Sequence, residues 1–450
     1  MAVSTKPPSG TRDFLPAELF RRRHVVSIIE RTYQRYGFVP LQTPAFENLP
    51  VLLGKYGDEG DRLVFRILRR GEALARVLAS DEAGEGELAD LGLRYDLTVP
   101  LARVVAQHRD LPRYFRRYQI QPVWRADRPA RGRFREFFQC DADIVGAVGR
   151  VAEVEVCAAV IDALIALGFA QVTLKINHRA LLSGLIAEAG IAAEAEATAL
   201  TALDKRDKVG DDGVLAELAG RGIGDEQGRA LLSLCTLPDA GGEPALAVAR
   251  LGESLSTEAG RRGAAELGEL FALLGATPAG THAVFAPELA RGLGYYTGPI
   301  FELAVPDLAG SLGGGGRYDG LIGMFGKADI PAVGFSLGLE RILLVMEERK
   351  MMPAFAAGPD AVVCWMSQTR AAAIAVAHAL RAENLAVEIY PEDHKLKKQL
   401  QYASSAAAKA VAIVGEDEAA SAEVTLKHLA TGDQRRVPQA DAAAAIKAWS

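Results

Sequence analysis

The chain has 450 residues, which is long enough for two or three domains with sizeable cores. Hydrophobic residues make up 49% and charged residues 24% of it, as in ordinary globular domains, and the net charge of -6 excludes a uniformly basic coat for nucleic acid, although not local basic faces. The N-terminus lacks the apolar stretch of a signal peptide, and no run of about 18 apolar residues could span a membrane. The chain is therefore expected to be a cytoplasmic enzyme without membrane contact.

A helix followed by a proline-punctuated strand is predicted first. Apolar residues recur at helical spacing over Pro16–Arg35, and Gly37 ends the helix. Residues 38–47 are typical of a strand, but Pro40 and Pro44 lack backbone donors. This strand is therefore expected at a sheet edge or an interface.

The next part of the chain predicts a loop, a helix and a pair of strands. Residues 69–89 are charged and contain glycine, which indicates a hairpin and a loop. A helix is predicted over 100–107, where proline in the first turn is favourable. Two strands joined by a polar loop at 128–132 are predicted within residues 113–146.

The pair of strands is strongly basic. Between Arg113 and Arg135 there are eight arginines and one acidic residue, Asp127. Arginine has a planar fork that suits phosphate and stacks on flat rings. A solvated basic hairpin is the alternative, but the interleaved aromatic residues Trp124 and Phe134 argue against it.

Composition then changes twice towards the C-terminus. Residues 188–270 are rich in alanine, glycine, glutamate and leucine at helical periodicity, which indicates a helical insertion; a continuous part of one large domain is the alternative. Residues 351–359 are typical of a linker. Beyond them strands alternate with helices, including a basic helix over 394–410, which predicts a small α/β domain with a mostly parallel sheet.

Two glycine-rich runs give the clearest indication of a ligand pocket. They are Arg291-Gly-Leu-Gly-Tyr-Tyr-Thr-Gly298 and Gly313-Gly-Gly-Gly-Arg-Tyr-Asp-Gly320. Glycine allows close approach of the backbone, and tyrosine offers a ring with a polar tip. An arginine without a carboxylate at helical spacing suits a negatively charged ligand. A glycine-rich hairpin with a solvated arginine is the alternative for either run alone.

These runs resemble the signature segments of histidyl-tRNA synthetases, a family of class II aminoacyl-tRNA synthetases. The family's first signature reads Arg-Gly-Leu-Asp-Tyr-Tyr, and Gly294 stands where its Asp is expected. The helix and strand over 16–47 resemble motif 1, the basic strands motif 2, and residues 331–343 motif 3. The resemblance covers nearly the whole chain, with the motifs in the family's order.

The resemblance implies roles for individual residues. Gln139 and Asp143 are four residues apart and so face the same side of a strand. The implied histidine-binding residues are Asp96, Thr98 and Gln139 at the ammonium group, Asp143 and Tyr296 at the imidazole, and Tyr295 and Tyr318. The family often has Glu at the positions of both aspartates. The implied ATP-binding residues are Arg125, Arg133, Arg135, Phe137 and Arg341, and the implied catalytic residues are Arg125 and Arg291. The implied tRNA-binding residues are Arg128, Arg131, Lys395, Lys397, Lys398 and Tyr402.

The resemblance also implies an organisation. The expected fold is α+β, with a class II catalytic domain on a mainly antiparallel sheet, a helical insertion and a C-terminal α/β anticodon-binding domain. The expected boundaries are 1–187 and 271–350 for the two parts of the catalytic domain, 188–270 for the insertion, 351–359 for the linker and 360–450 for the last domain. A homodimer formed through motif 1 is expected, with ATP and Mg²⁺, L-histidine and tRNA(His) as its ligands.

No metal site built by the protein is expected, and two other functions are considered. The four cysteines are far apart and form no Cys-x-x-Cys pair, which argues against structural zinc or a disulfide framework. The first alternative is a non-catalytic relative, the regulatory subunit of ATP phosphoribosyltransferase, which typically lacks the C-terminal domain and the signature arginine. The second is a class II synthetase for threonine, proline or glycine, against which Tyr295 and Tyr296 argue.

Arg291→Ala is expected to nearly abolish formation of the aminoacyl-adenylate while the chain stays folded. Losing one charge that stabilises a transition state typically costs about 3 kcal/mol, or roughly a hundredfold in rate. ATP–pyrophosphate exchange with histidine measures this step. An exchange rate equal to that of the unaltered chain would remove Arg291 from the catalytic residues.

Overall fold

A computed structural model describes residues 3–80, 86–236, 242–290, 294–306, 308, 310–326, 328–353 and 358–449. The chain divides into two compact units, Met1–Leu15 with Arg21–Met352, and Pro16–Phe20 with Pro353–Ser450. Among the described residues, no helix combines the length and the apolar character that crossing a bilayer requires.

The first unit is built on an eight-stranded sheet in the order β1-β5-β6-β11-β10-β9-β7-β8. Only the β1–β5 and β7–β8 pairs are parallel, so the sheet is mainly antiparallel, as predicted. A smaller sheet has the order β2-β4-β3. The strands are β1 Val39–Pro40, β2 Phe46–Asn48, β3 Arg66–Leu68, β4 Ala89–Leu93, β5 Phe115–Trp124, β6 Glu136–Val145, β7 Thr173–His178, β8 Ala283–Phe285, β9 Pro299–Ala304, β10 Gly313–Arg317 and β11 Ala332–Gly338.

Helices cover one face of the large sheet and form a separate helical segment. The described residues between β7 and β8 contain helices and their connections but no strand. The helices, in chain order, are α1 Pro16–Arg35, α2 Leu49–Leu52, α3 Gly57–Arg62, α4 Gly71–Leu78, α5 Thr98–Gln107, α6 Val151–Ala166, α7 Arg179–Glu188, α8 Glu196–Leu203, α9 Arg206–Gly220, α10 Asp225–Leu234, α11 Pro244–Glu253, α12 Glu258–Leu274 and α13 Leu339–Glu348.

The two faces of the large sheet differ in chemistry. One face is apolar and buried against α1 and α6, with contributions from Tyr118, Cys140, Ala142, Ile144, Phe335 and Leu337. The other face is named here the polar floor. Since cross-strand partners point to the same side, it comprises Arg117, Gln119 and Gln121 of β5, Gln139, Asp141 and Asp143 of β6, Gly334, Ser336 and Gly338 of β11, and Gly314 and Gly316 of β10. Gly334 and Gly316 let the side chains of Asp143 and Tyr296 lie close against the strands.

Arg317, from the second glycine-rich run, lies on the face opposite the polar floor. Its Nε atom is 2.7 Å from Glu153 Oε1, and Glu153 is also 2.6 Å from Arg150 Nη1. Arg150 in turn lies 2.7 Å from Glu266 of α12. This guanidinium therefore joins β10 to α6 and to the helical segment. The prediction of a ligand pocket from both glycine-rich runs therefore does not hold for Arg317, which pairs with Glu153 on the opposite face of the sheet.

Three local predictions are corrected. Residues 69–89 contain helix α4, which the prediction of a hairpin and loop lacked, although the flanking strands β3 and β4 do pair antiparallel as in a hairpin. Residues 38–47 form two short strands in different sheets, because Arg94 Nη1 donates to the carbonyls of Thr43 and Pro44 at 2.7 and 3.0 Å and so replaces a strand partner there. The basic helix ends at Ser405 and not at residue 410, because Ala407 just beyond it has a left-handed φ of 51°.

The second unit contains a five-stranded sheet in the order β13-β12-β14-β15-β16. The first two pairs are parallel and the last two antiparallel. One face packs against α14 and α17, and the other against α15. The elements are β12 Ala361–Trp365, α14 Arg370–Ala382, β13 Val387–Ile389, α15 Leu396–Ser405, β14 Ala410–Val414, α16 Glu416–Ser421, β15 Glu423–His428, β16 Gln434–Pro438 and α17 Ala442–Lys447.

Gly334→Ala is expected to destabilise the protein, because a Cβ atom there would lie 1.9 Å from Asp143 Oδ1. Overpacking of this kind costs about 1–3 kcal/mol. Gly338→Ala on the same strand is the matched control, since its Cβ atom would make only an ordinary contact of 3.4 Å with the Leu312 carbonyl. Thermal unfolding compares the two variants. Equal melting temperatures would show that Asp143 moves aside without cost.

Candidate active site

The acidic end of the polar floor is centred on Asp143. This side chain is 2% exposed, its Oδ1 atom accepts a hydrogen bond from the Tyr318 hydroxyl, and its Oδ2 atom lies 3.0 Å from Arg117 Nη2. Arg117 is itself fully buried. Burial raises the pKa of Asp143, while Arg117 and the Tyr318 hydrogen bond lower it. Asp143 is thus held by two neighbours in a fixed orientation.

A second buried carboxylate, Asp96, lies in the segment before α5. Its Oδ1 atom accepts hydrogen bonds from the Tyr56 hydroxyl at 3.1 Å and the Val99 amide at 3.0 Å, and Tyr295 donates to Oδ2 at 3.3 Å. Thr98, two residues further on, is half-buried and is the first residue of α5. Burial raises the pKa of Asp96, although these hydrogen bonds and Arg125 lower it.

Asp141 adds a third carboxylate between Gln139 and Asp143. It is 1% exposed, and its Oδ2 atom is 3.8 Å from Arg117 Nη2. Burial raises the pKa of Asp141 to about 7; Arg117 and a hydrogen bond from Ser336 lower it, while Asp143 and Asp96 raise it. Asp141 and Asp143 therefore share the buried Arg117, while Arg125 is the cation that acts on Asp96.

Several buried polar atoms of the floor have no hydrogen-bond partner within the described part of the chain. They are Gln139 Oε1, Gln119 Oε1, Asp141 Oδ1, Asp143 Oδ2 and the Nε and Nη1 atoms of Arg117. Burying polar atoms unpaired is costly unless a ligand or water pairs them. Most of these atoms are acceptors, so the site is suited to a ligand with N–H donors and positive charge.

At the other end of the polar floor the charge is positive. Arg125 Nε donates to the Tyr95 carbonyl at 3.1 Å, and its guanidinium carbon lies 4.2 Å from the centre of the Tyr95 ring and 5.2 Å from that of Phe137. Phe137 precedes Gln139 on the same face of β6. Along β6 the side chains on this face therefore change from the acidic Asp143 at one end to the aromatic Phe137 at the other, where the cationic Arg125 lies beside it.

The other residues predicted at ATP surround this basic end. Arg133 pairs with Asp127 at 2.7 Å, and Arg135 Nε donates to the Asp127 carbonyl at 3.0 Å. Arg341, in the first turn of α13, donates to the Ser311 carbonyl and lies beside Gly132 of the basic loop. Glu340, its neighbour, pairs instead with Arg22 at 2.8 Å. Glu340 therefore does not form an ion pair with Arg341.

Two tyrosines of the first glycine-rich run can be placed, whereas Arg291 lies outside the described residues. Tyr295 is buried beside Asp96, and the half-buried Tyr296 ring packs so closely on Gly316 that a Cβ atom there would lie 2.7 Å from it. At Gly294, where the family signature has Asp, a Cβ atom would meet no described atom within 4 Å. The backbone therefore leaves room for an aspartate.

The predicted tRNA-binding residues lie in two exposed places. Arg128 and Arg131 belong to the basic loop, where Arg131 pairs with Glu348. In the second unit Lys395 and Lys397 are exposed at the start of α15, and Lys398 lies 2.9 Å from His394 Nε2. Tyr402 donates to Glu388 at 2.7 Å, and its ring contacts Tyr390. The structure thus groups the second set along one helix.

Sequence reasoning missed Tyr56, Arg117, Asp141 and Ser336. A signal was available for Asp141, because it stands two residues from both Gln139 and Asp143 and strand alternation puts all three on one face. Tyr56 and Arg117 reach the carboxylates from other elements, and no local pattern indicated those contacts.

Comparison with known proteins identifies the family. Residues 10–342 match the family described as histidyl-tRNA synthetase, and residues 360–449 match the anticodon binding domain. The histidine–tRNA ligase of Flavobacterium johnsoniae is 41% identical, with 96% of this chain and 97% of the relative covered. That of Gloeobacter violaceus is 42% identical, with 96% of both covered.

Solved structures show the same fold. The crystal structure of histidyl-tRNA synthetase from Nostoc sp. PCC 7120 superposes with a TM-score of 0.80 at 29% identity, covering 99% of this chain and all of that one. A protein of Bacillus halodurans described as an ATP phosphoribosyltransferase regulatory subunit/histidyl-tRNA synthetase shares the fold at 22% identity, with a TM-score of 0.74, covering 92% of this chain and 99% of that one. From the family match and the identity to its relatives, the chain belongs to the histidyl-tRNA synthetases.

Proposed function

We propose that this chain activates L-histidine with ATP and transfers it to the 3′ end of tRNA(His), as the family's histidine–tRNA ligases do. The observation that carries the proposal is the polarity of the polar floor. Acceptors at Asp143, Asp96 and Gln139 lead towards the cationic Arg125. Free histidine has the same polarity, with ring N–H and ammonium donors at one end and a carboxylate at the other.

The histidine side chain would lie at Asp143. This carboxylate accepts from Tyr318 through Oδ1, and its Oδ2 atom, which lies 3.0 Å from Arg117 Nη2, has a second lone pair for a ring N–H. Asp96, Thr98 and Gln139 would hold the ammonium group, with Tyr295 fixing Asp96 and Tyr296 closing the pocket over Gly316. Tyrosine hydroxyls also compensate for the shorter aspartates, because Tyr56, Tyr295 and Tyr318 all reach them.

Activation needs no general base, since the histidine carboxylate is already anionic. It attacks the α-phosphorus of ATP in line, and pyrophosphate leaves. Arg125 would hold both the carboxylate and the α-phosphate, and Arg291 would share the developing charge. Phe137, Arg133 and Arg135 would support the adenosine, and Arg341 the γ-phosphate.

Mg²⁺ is part of this proposal as a companion of ATP. The described residues contain no group of three His, Cys, Asp or Glu side chains that could hold a metal ion. This fits Mg²⁺, which usually keeps water and substrate phosphates as ligands. When bound it would neutralise charge on the β- and γ-phosphates.

The tRNA would contact both units. Arg128 and Arg131 of the basic loop would meet the acceptor end, and Lys395, Lys397, Lys398 and Tyr402 would meet the anticodon region with charge and a ring for stacking. The match of residues 360–449 to the anticodon binding domain supports this assignment. It also argues against a regulatory subunit, which typically lacks that domain.

We infer a homodimer that uses motif 1. Val39 of β1 and Phe46 of β2 are 48% and 51% exposed, and each lies on an edge strand of its own sheet. A partner that covered both edges would bury them. The domain boundaries 1–187, 188–270, 271–350 and 360–450 and a cytoplasmic location stay predictions of the sequence.

Histidine-dependent ATP–pyrophosphate exchange, followed by charging of tRNA(His), tests the proposed function. Exchange supported by histidine and not by threonine, proline or glycine is expected. A chain that binds histidine but catalyses no exchange would favour the non-catalytic alternative instead.

Asp143→Asn is expected to raise the histidine KM roughly ten- to hundredfold, because one mispaired polar contact in a closed pocket costs about 1–3 kcal/mol. The asparagine can present its NH₂ group to the ring and carries no charge to pair with Arg117. The ATP KM is expected to change little, since Arg125 and Arg341 are untouched. An unchanged histidine KM with weaker ATP binding would move Asp143 out of the histidine pocket.

A further inference from the structure

We propose that Gln121 is a further substrate-binding residue, whose side-chain NH₂ group donates a hydrogen bond to the carboxylate of the bound amino acid. This inference rests on the proposed function, which places the ammonium group at Gln139 and the carboxylate at Arg125. Gln121 belongs to β5 and to the polar floor, and its direct cross-strand partner is Gln139 of β6. The family resemblance implied no role for it.

Three donors fix the orientation of the Gln121 amide. Its Oε1 atom accepts hydrogen bonds from Gln119 Nε2 at 2.6 Å, from Arg94 Nη1 at 3.1 Å and from the Thr43 backbone amide at 3.3 Å. A guanidinium and a backbone N–H can only donate, so an amide turned by 180° would place its NH₂ group against other donors. The Gln121 oxygen therefore faces Arg94 and Thr43, and the NH₂ group faces away from them.

The Gln121 NH₂ group is thereby left for a ligand. It pairs with no acceptor among the described residues, and because Gln121 is half-buried this nitrogen is not sealed off. Gln139 presents the complementary group. Its Nε2 atom donates to Ser336 Oγ at 2.7 Å, and its Oε1 atom has no partner within the described part of the chain. Since cross-strand partners lie about 4.5–5.5 Å apart at Cβ, a donor and an acceptor stand side by side on the floor.

The zwitterion of an amino acid is complementary to this pair. Its ammonium and carboxylate groups are attached to the same carbon atom, so an ammonium group at Gln139 brings the carboxylate next to Gln121. Arg125 comes directly after the last residue of β5, at the basic end of the same floor. The carboxylate would then accept from Gln121 on one side and from Arg125 on the other. Hydrogen bonds to a charged group are the stronger kind.

Gln121→Glu separates donation to the substrate from the structural role of this side chain. The glutamate keeps an oxygen for Arg94 and Thr43 but replaces the NH₂ donor with a second acceptor. It is expected to weaken binding of L-histidine about ten- to hundredfold, because a hydrogen bond to the carboxylate is replaced by repulsion between like charges. Histidinol keeps the imidazole and the ammonium group but lacks the carboxylate, and its binding is not expected to weaken. Calorimetric titration without ATP or tRNA measures both dissociation constants.

Gln107→Glu is the matched control for the added charge. Gln107 is exposed at the end of α5, and its oxygen also accepts from an arginine, Arg103 Nη1, at 3.1 Å. This variant is expected to bind both ligands as the unaltered chain does. If glutamate at position 121 prevents folding, Gln121→Met takes its place, since methionine is neutral and of similar length. It is expected to weaken L-histidine binding about tenfold more than histidinol binding.

The outcomes distinguish this inference from the proposed function. Unchanged L-histidine binding in Gln121→Glu would overturn the inference, and if ATP binding weakened instead, the NH₂ group would belong to a phosphate. Equal weakening of both ligands would also overturn it, because it shows a structural role only. In each of these cases, histidine-dependent exchange by the unaltered chain leaves the proposed function standing. Selective loss of L-histidine binding, with no exchange by the unaltered chain, would support the carboxylate contact and contradict the proposed catalysis.

Discussion

An excess of buried negative charge governs the candidate active site. Asp96, Asp141 and Asp143 are at most 3% exposed, and two buried cations, Arg117 and Arg94, lie near them. Removing one charge from water is costly unless it is paired, so the empty site is less favourable than the site with a cationic ligand. Burial raises the pKa values of these acids because it disfavours their charged forms, and a ligand with an ammonium group and ring N–H donors would pair those charges.

The large sheet separates the buried acidic side chains from the hydrophobic core. On β6, alternate residues are apolar and packed under α1 and α6, while the residues between them form the polar floor. Glycines at 314, 316, 334 and 338 remove side chains from the neighbouring strands on that side. Asp143 and Tyr296 can therefore lie directly against the strands, because Gly334 and Gly316 carry no side chains there.

The sequence predicted the helices and strands whose hydrophobic residues recur at regular spacing. Helix α1, the two long strands of motif 2 and the helical segment were found because hydrophobic spacing is local, and the mainly antiparallel α+β fold is confirmed by solved relatives. Contacts between distant elements were not predictable in this way. Tyr56 reaches Asp96 across 40 residues and Arg117 reaches Asp143 across a strand pair, and neither pairing leaves a periodic signal. The placement of Arg291 and the roles of the site residues remain predictions.

The ion-pair chain behind β10 limits how the domains of this family can be exchanged. Arg317 precedes Tyr318, the residue that holds Asp143, and Arg317 is tied through Glu153 and Arg150 to Glu266 of the helical segment. A chimaera that replaces this segment with one from a relative must supply a carboxylate at the position of Glu266. Otherwise Arg150 loses a partner next to the fully buried Glu153, and the disturbance begins one residue away from Tyr318 of the candidate site. Compatibility between parts is thus set by a charge, not by shape alone.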